Sequence, residues 1–162
     1  MQATKFLSAA AALAIVAAPV FAATTVKDVN VEIDLEAIGN PAAAEYWSSA
    51  ADDLENAIVA RVTDRIADEG ATVNVDINEL ELANSFQTAL NVAESKLAGK
   101  VNVSHDSDNT KFDSYELTVT FDDATLFMPE GADLTAIASD SKDYYSAMIN
   151  AFADRVAKKL QE

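Results

Sequence analysis

The length and composition of this chain exclude several classes of protein. It has 162 residues, of which 27 are acidic and 11 are basic, so its formal net charge is −16. A charge of that sign repels nucleic acids and anionic membrane surfaces. The chain has no cysteine, which excludes disulfides, thiol catalysis and thiolate metal ligands.

The first 22 residues have the pattern of a secretory signal. Lys5 precedes an apolar run over residues 6–20, and Val20 and Ala22 are the small residues of a cleavage site. The run is shorter than the roughly 20 residues that span a bilayer as a helix. We therefore predict a signal peptide at 1–22, a single acidic domain at 23–162 without a transmembrane segment, and a periplasmic or secreted location. The alternative is a buried, alanine-rich helix of the mature fold.

The first half of the mature chain predicts one strand and one long helix. Apolar and polar residues alternate over 29–36, which is typical of a half-buried strand. Asn40 and Pro41 predict a helix start, and Gly70 a stop, so we expect a helix to run from 41 to 69. Its apolar residues repeat every four positions, at Tyr46, Ala50, Leu54, Ile58, Val62 and Ile66.

The second half predicts three strands and a final helix. A strand begins at Val73, and its alternation changes phase near Asn78 and Glu79, which predicts a β-bulge. Residues 83–96 are expected to form a loop or one or two helical turns. Strands at 97–104 and 115–121 enclose a polar turn, a connection follows over 122–139, and a helix begins near Ser141.

This order of elements, β-α-β-β-β-α, predicts the fold class. We expect an α+β fold, built as a two-layer α/β sandwich with a four-stranded mixed sheet and two amphipathic helices on one face. The first crossover is expected to make strands one and two parallel. Strands three and four are expected to form an antiparallel hairpin.

Four carboxylates are predicted to project from the sheet face opposite the core. They are Glu32, Asp34, Asp76 and Glu116. Carboxylates placed directly across strands repel each other, so they must be staggered, partnered by Lys27 or Lys100, or neutralised by a cation. A hydrated, open sheet face is the simplest interpretation. A divalent-cation site and a docking face for a basic partner are the alternatives.

The polar turn after the third strand is a second candidate for cation binding. Asp106 and Asp108 begin a segment with oxygen-bearing side chains at alternate positions, as in a calcium loop. Lys111 and Leu117 stand where that loop needs glycine and glutamate, so the segment fails as an EF-hand. A polar hairpin turn is the preferred interpretation.

No catalytic constellation is evident in the sequence. His105 is the only histidine, and no nucleophile elbow or orienting carboxylate accompanies it. The chain also lacks a glycine-rich phosphate loop and a basic patch interleaved with aromatic residues. We therefore assign no catalytic residue, no cofactor other than calcium as a weak candidate, and no nucleic-acid partner.

The sequence favours an exported, non-enzymatic module that binds an unidentified protein or envelope component. One alternative is an extracellular hydrolase that uses paired carboxylates, and another is a weak divalent-cation-binding domain. An enzyme needs a concave pocket onto which two carboxylates converge. A bare sheet face or an exposed apolar patch would instead favour binding.

Overall fold

A computed structural model describes residues 23–35, 41–81, 96–106, 108, 110, 112–134, 136–137 and 141–162. Within these ranges the chain forms four strands and four helices: β1 (Val26–Ile33), α1 (Pro41–Tyr46), α2 (Ala50–Val62), β2 (Ala71–Glu81), β3 (Lys96–His105), β4 (Asp113–Thr120), α3 (Phe121–Ala124) and α4 (Lys142–Lys159). Short 3₁₀ turns, Thr63–Arg65 and Thr125–Phe127, follow α2 and α3. None of the helices in these ranges is long and apolar enough to cross a lipid bilayer.

The four strands form one mixed sheet in the order β1-β2-β3-β4. β1 and β2 are parallel, with Val31 opposite Val75, whereas β2–β3 and β3–β4 are antiparallel. The α+β fold, the parallel first pair and the hairpin of the last two strands are therefore confirmed.

The core lies between one face of the sheet and the two long helices. From α2 it receives Leu54, Ile58 and Val62, which are fully buried, and from the sheet Val75 and Val101. α4 contributes more buried residues than any other single helix or strand, including Tyr144, Ala147, Met148, Phe152, Ala153 and Val156. α2 contacts β1, and α4 contacts β3 and β4, so the two helices cover the sheet from opposite edges. Ser141 caps α4 at its predicted start, because its Oγ accepts a hydrogen bond from the Tyr144 N–H at 3.2 Å.

The single helix predicted over 41–69 is wrong, because the structure divides this segment. An α-helix turns 100° per residue, so apolar residues spaced four apart rotate by about 40° at each step around the axis. A six-member series therefore cannot stay on one side of a straight helix. The chain breaks at Trp47–Ser49, between α1 and α2, and the α-helix ends at Val62. Ile66 lies outside the helix, pairs with Val26 as an isolated bridge and is 45% exposed.

Aromatic contacts hold the break between α1 and α2 against α4. Trp47 is fully buried, and its ring centroid lies 5.0 Å from that of Tyr46 and 5.3 Å from that of Tyr145. The Tyr46 hydroxyl donates to the Ser141 carbonyl at 2.9 Å, and the Tyr145 hydroxyl donates to the Asp53 carboxylate at 2.6 Å. These contacts bury Trp47 at the junction between the two helices.

The predicted β-bulge is confirmed. The register of β2 against β3 shifts between Ile77 and Glu79, so that Asn78 is the extra residue. Gly99 lies opposite Ile77, where an added Cβ would lie 2.7 Å from the Asp76 backbone oxygen. Only glycine fits this position, because the atom that the Cβ would meet belongs to the backbone.

Several predicted element ends are wrong. The first strand is three residues earlier than the predicted 29–36, so Asp34 lies beyond its end. Phe121 was predicted to end the fourth strand, but it begins α3, because Thr120 and Asp123 form a capping box there. The predicted signal peptide, Glu36, and all but Lys96 of the predicted loop over 83–96 lie outside the described residues.

Candidate functional site

The sheet face turned away from α2 and α4 carries polar and small side chains at every described outward position. Alternation along the strands sends the apolar residues to the core and these residues outward. Two rows of side chains cross all four strands at directly paired positions. The charged row consists of Glu32, Asp76, Lys100 and Glu116, and the amide row of Asn30, Asn74, Asn102 and Ser114.

Hydrogen bonds between neighbouring strands order the amide row. Asn30 Nδ2 donates to Asn74 Oδ1 at 3.2 Å, and Ser114 Oγ donates to Asn102 Oδ1 at 2.7 Å. Each bond joins two adjacent strands, and Asn30, Asn74 and Ser114 are exposed. The row therefore offers a fixed set of hydrogen-bonding groups on a rigid sheet.

The charged row contains its own cation. In the strand register, Lys100 of β3 lies directly opposite Asp76 of β2 on one side and Glu116 of β4 on the other. Glu32 and Asp76 are directly opposite on parallel strands, which brings these two of the predicted carboxylates together. Glu116 is separated from Glu32 by three strand spacings, roughly 14 Å. The three exposed carboxylates therefore cannot converge on one ion.

The fourth predicted carboxylate, Asp34, is placed differently from the others. It follows β1, two residues after Glu32, and lies beyond the last register position of β1 with β2, which is Ile33 opposite Ile77. Among the residues that the structure describes, no three histidine, aspartate or glutamate side chains are grouped so as to hold a metal ion. Of the four carboxylates of the predicted cation site, Glu32 and Asp76 are the two that lie directly opposite each other in the sheet.

The two aspartates of the hairpin turn already have partners within the protein. Asp106 forms an ion pair with Lys27, which holds the pKa of that carboxyl below its ordinary value and raises the pKa of Lys27. Asp108 Oδ1 accepts hydrogen bonds from the backbone N–H of Thr110, at 3.1 Å, and from its hydroxyl. The latter contacts close a local turn, as aspartates commonly do in hairpins.

His105 ends β3, where it is half-buried and paired with Ala71. The sequence predicts that it lies in the polar turn, so its position at the end of a strand is a correction. Its backbone belongs to the β2–β3 ladder.

The connection between β4 and α4 presents a feature that the sequence interpretation missed. Leu126 is 85% exposed in the 3₁₀ turn that follows α3, and Phe127 and Met128 beside it are half-buried. The signal that could have located this turn is the capping box of Thr120 and Asp123, since Ser or Thr followed three residues later by an acidic residue marks a helix start.

No protein-family model matches the chain, and no curated protein matches it. The fold is similar to that of protein XCC0632 from Xanthomonas campestris, which carries the family model DUF330. That likeness has a TM-score of 0.50 and 13% sequence identity, and it covers 86% of this chain and 85% of that one. At this identity the likeness concerns the fold alone.

Two further solved structures are less similar. A candidate lipoprotein from Caulobacter crescentus has a TM-score of 0.39 and 11% identity, over 82% of this chain and 87% of that one. The PelC dodecamer from Paraburkholderia phytofirmans has a TM-score of 0.36 and 13% identity, over 84% of this chain and 94% of that one.

Proposed function

We propose that this protein is an exported, non-enzymatic module that binds another protein or an envelope component in the periplasm or outside the cell. The proposal for export rests on residues 1–22, with their single lysine, apolar run and small residues at a cleavage site. The proposal for binding rests on the charged row and the amide row of the sheet.

The observation that carries the binding proposal is that these polar side chains lie in aligned rows across four paired strands. Glu32, Asp76 and Glu116 are exposed on strands that are paired along their length. When a partner docks on such a face, no backbone has to be ordered, because the strands already fix the positions from which these side chains project. Hydroxyl, amide and carboxylate groups suit a polar partner with basic side chains.

The same geometry disfavours the hydrolase with paired carboxylates. In that mechanism one carboxyl stays protonated as the general acid because it is buried or lies in an apolar pocket. Glu32 and Asp76, the only directly opposed pair among the four predicted carboxylates, are both exposed. A binding face accounts for their arrangement without that requirement.

Export is tested by producing the full chain in a Gram-negative host and releasing the periplasm by osmotic shock. We expect the released protein to lack its first 22 or 23 residues by intact mass, since Ala22 and Ala23 follow the apolar run. Leu13→Arg, which places a charge inside the run, is expected to keep the chain in the cytoplasm. A released protein that still starts at Met1 would contradict the proposal.

Binding is tested by placing a photo-crosslinking amino acid on the sheet face and comparing it with a helix position. Asn74 is exposed in the amide row, and Asn56 is exposed on α2. After irradiation of cells that export each variant, we expect a discrete crosslinked product from position 74 and none from position 56. The double substitution Glu32→Lys and Asp76→Lys should remove that product. Equal products from both positions would show that the sheet face has no special role.

A further inference from the structure

The exposed leucine of the 3₁₀ turn is held in place by hydrogen bonds on both sides. Thr125 Oγ1 donates to the Asp122 carbonyl at 2.7 Å, and the Met128 N–H donates to the Thr125 carbonyl at 3.3 Å. Arg155 on α4 donates to the Thr118 carbonyl at 2.8 Å and pairs with the Asp123 carboxylate. Leu126 is therefore exposed on an ordered turn that is fastened to α4.

Aromatic packing between α3 and α4 also holds the segment that leads into this turn. Phe121, the first residue of α3, stacks on Tyr144 of α4 with 5.7 Å between the ring centroids. The 3₁₀ turn also contacts α4 directly. Because these contacts hold the backbone of the turn, a partner that covers Leu126 does not have to order this segment of the chain first.

The charges beside Leu126 indicate what kind of surface can cover it. Asp122, on α3, lies four residues before it in the sequence and is exposed. Glu130 lies four residues after it in the sequence and is exposed as well. A second copy of this chain would bring these acidic groups together and adds a net charge of −16. An anionic lipid surface would be repelled for the same reason.

We propose that Leu126 inserts into an apolar site on a partner protein whose surrounding side chains are lysine and arginine. This inference rests on the proposed binding function and gives it a second contact, distinct from the sheet face. Asp122 and Glu130 would meet the basic side chains, while Leu126, Phe127 and Met128 supply the apolar contact. Complementary charge around an apolar anchor speeds association and selects the partner.

The test uses a defined probe: a synthetic amphipathic helix of leucine and lysine, with a matched leucine and glutamate peptide as control. We expect the lysine peptide to bind the mature protein and to shift the amide signals of residues 125–128 in NMR spectra. Leu126→Ser leaves the net charge unchanged and should weaken binding by on the order of tenfold or more, since burial of a leucine is lost. Leu126→Met should restore most of the affinity.

Several outcomes would overturn the inference. One is equal binding of the lysine peptide to wild type and Leu126→Ser, which would indicate attraction to the overall charge. Others are tighter binding of the glutamate peptide, binding to neutral phosphatidylcholine vesicles that depends on Leu126, or a dimer that Leu126→Ser dissociates. Crosslinking from position 74 reports on the sheet face separately. The proposed function can therefore stand if the Leu126 contact fails, and the two failures are distinguishable.

Discussion

Replacing Ile58 by alanine tests the packing of α2 against the sheet. Ile58 is fully buried and belongs to the same core cluster as Val75, Val101 and Phe152. The substitution removes Cγ1, Cγ2 and Cδ1. At about 0.8 kcal/mol for each of these buried carbons, the loss of transfer free energy is roughly 2.4 kcal/mol. The cavity left behind adds to this, and the better helix propensity of alanine offsets a few tenths of a kcal/mol.

We therefore expect Ile58→Ala to lower the free energy of unfolding by about 3 kcal/mol, within the usual range of roughly 2–5 kcal/mol for such changes. At roughly 2–4 °C for each kcal/mol in a domain of this size, the melting temperature should fall by about 10 °C. Urea unfolding of the protein, followed by the emission of Trp47, measures this loss directly. Trp47 is the only tryptophan and is fully buried, so its emission reports the folded core.

The neighbouring residue supplies the control. Val59 lies on the same helix but is 37% exposed, so Val59→Ala should cost less than about 1 kcal/mol. Ile58→Val, which removes one carbon, should cost about 0.5–1.5 kcal/mol. If Ile58→Ala and Val59→Ala lowered stability equally, the face assigned to α2 would be wrong.

Three further expectations follow from the sheet and its turn. In thermal melts, millimolar calcium should stabilise the protein no more than sodium chloride of matched ionic strength does, because screening alone acts on the carboxylates. A larger stabilisation by calcium that vanishes in the double variant Asp34→Asn, Asp76→Asn would instead establish a cation site. Lys27→Gln should raise the pKa of Asp106 toward its ordinary value in an NMR titration, and an unchanged pKa would mean that this ion pair does not form. Since the folded-state pKa of Asp106 is lowered, the stability gained from the pair is present above its unfolded-state pKa and is lost as the pH falls through the folded-state value. Gly99→Ala should lower the free energy of unfolding by about 1–3 kcal/mol in urea melts, because the added Cβ would overlap the Asp76 backbone oxygen. A loss below about 0.5 kcal/mol would contradict that reasoning.

Alternation of apolar and polar residues predicted the strands because burial of one sheet face forces a period of two. The bulge at Asn78 was predictable for the same reason, since a phase change in that period must be absorbed somewhere. The extent of the first helix was not, because residues spaced four apart from Tyr46 to Ile66 rotate by about 40° per step and cannot all lie on one face. The helix breaks at Trp47–Ser49, where the fully buried Trp47 packs against α4.

The composition of the sheet face was predictable, but its pairing was not. Period two assigns Glu32, Asp76 and Glu116 to the outward face from sequence alone. Which of them are neighbours depends on the register between strands, and register follows from the whole set of cross-strand contacts. That register places Lys100 between Asp76 and Glu116, which changes the face from a cluster of carboxylates into a row of mixed charge.

The edge strand β4 connects the two surfaces that we propose for binding. Its outward residues include Glu116 in the charged row and end at Thr120, which is also the N-cap of α3, and Leu126 follows two short turns later. Burial of one leucine contributes about 1.5–3 kcal/mol, whereas micromolar affinity requires about 8 kcal/mol. Leu126 alone therefore cannot hold a partner, and we infer that an anchor here acts together with polar contacts along β4. Because both surfaces are acidic, one basic partner surface would satisfy them, and lysine and arginine on that surface would first be attracted by the field of the whole domain.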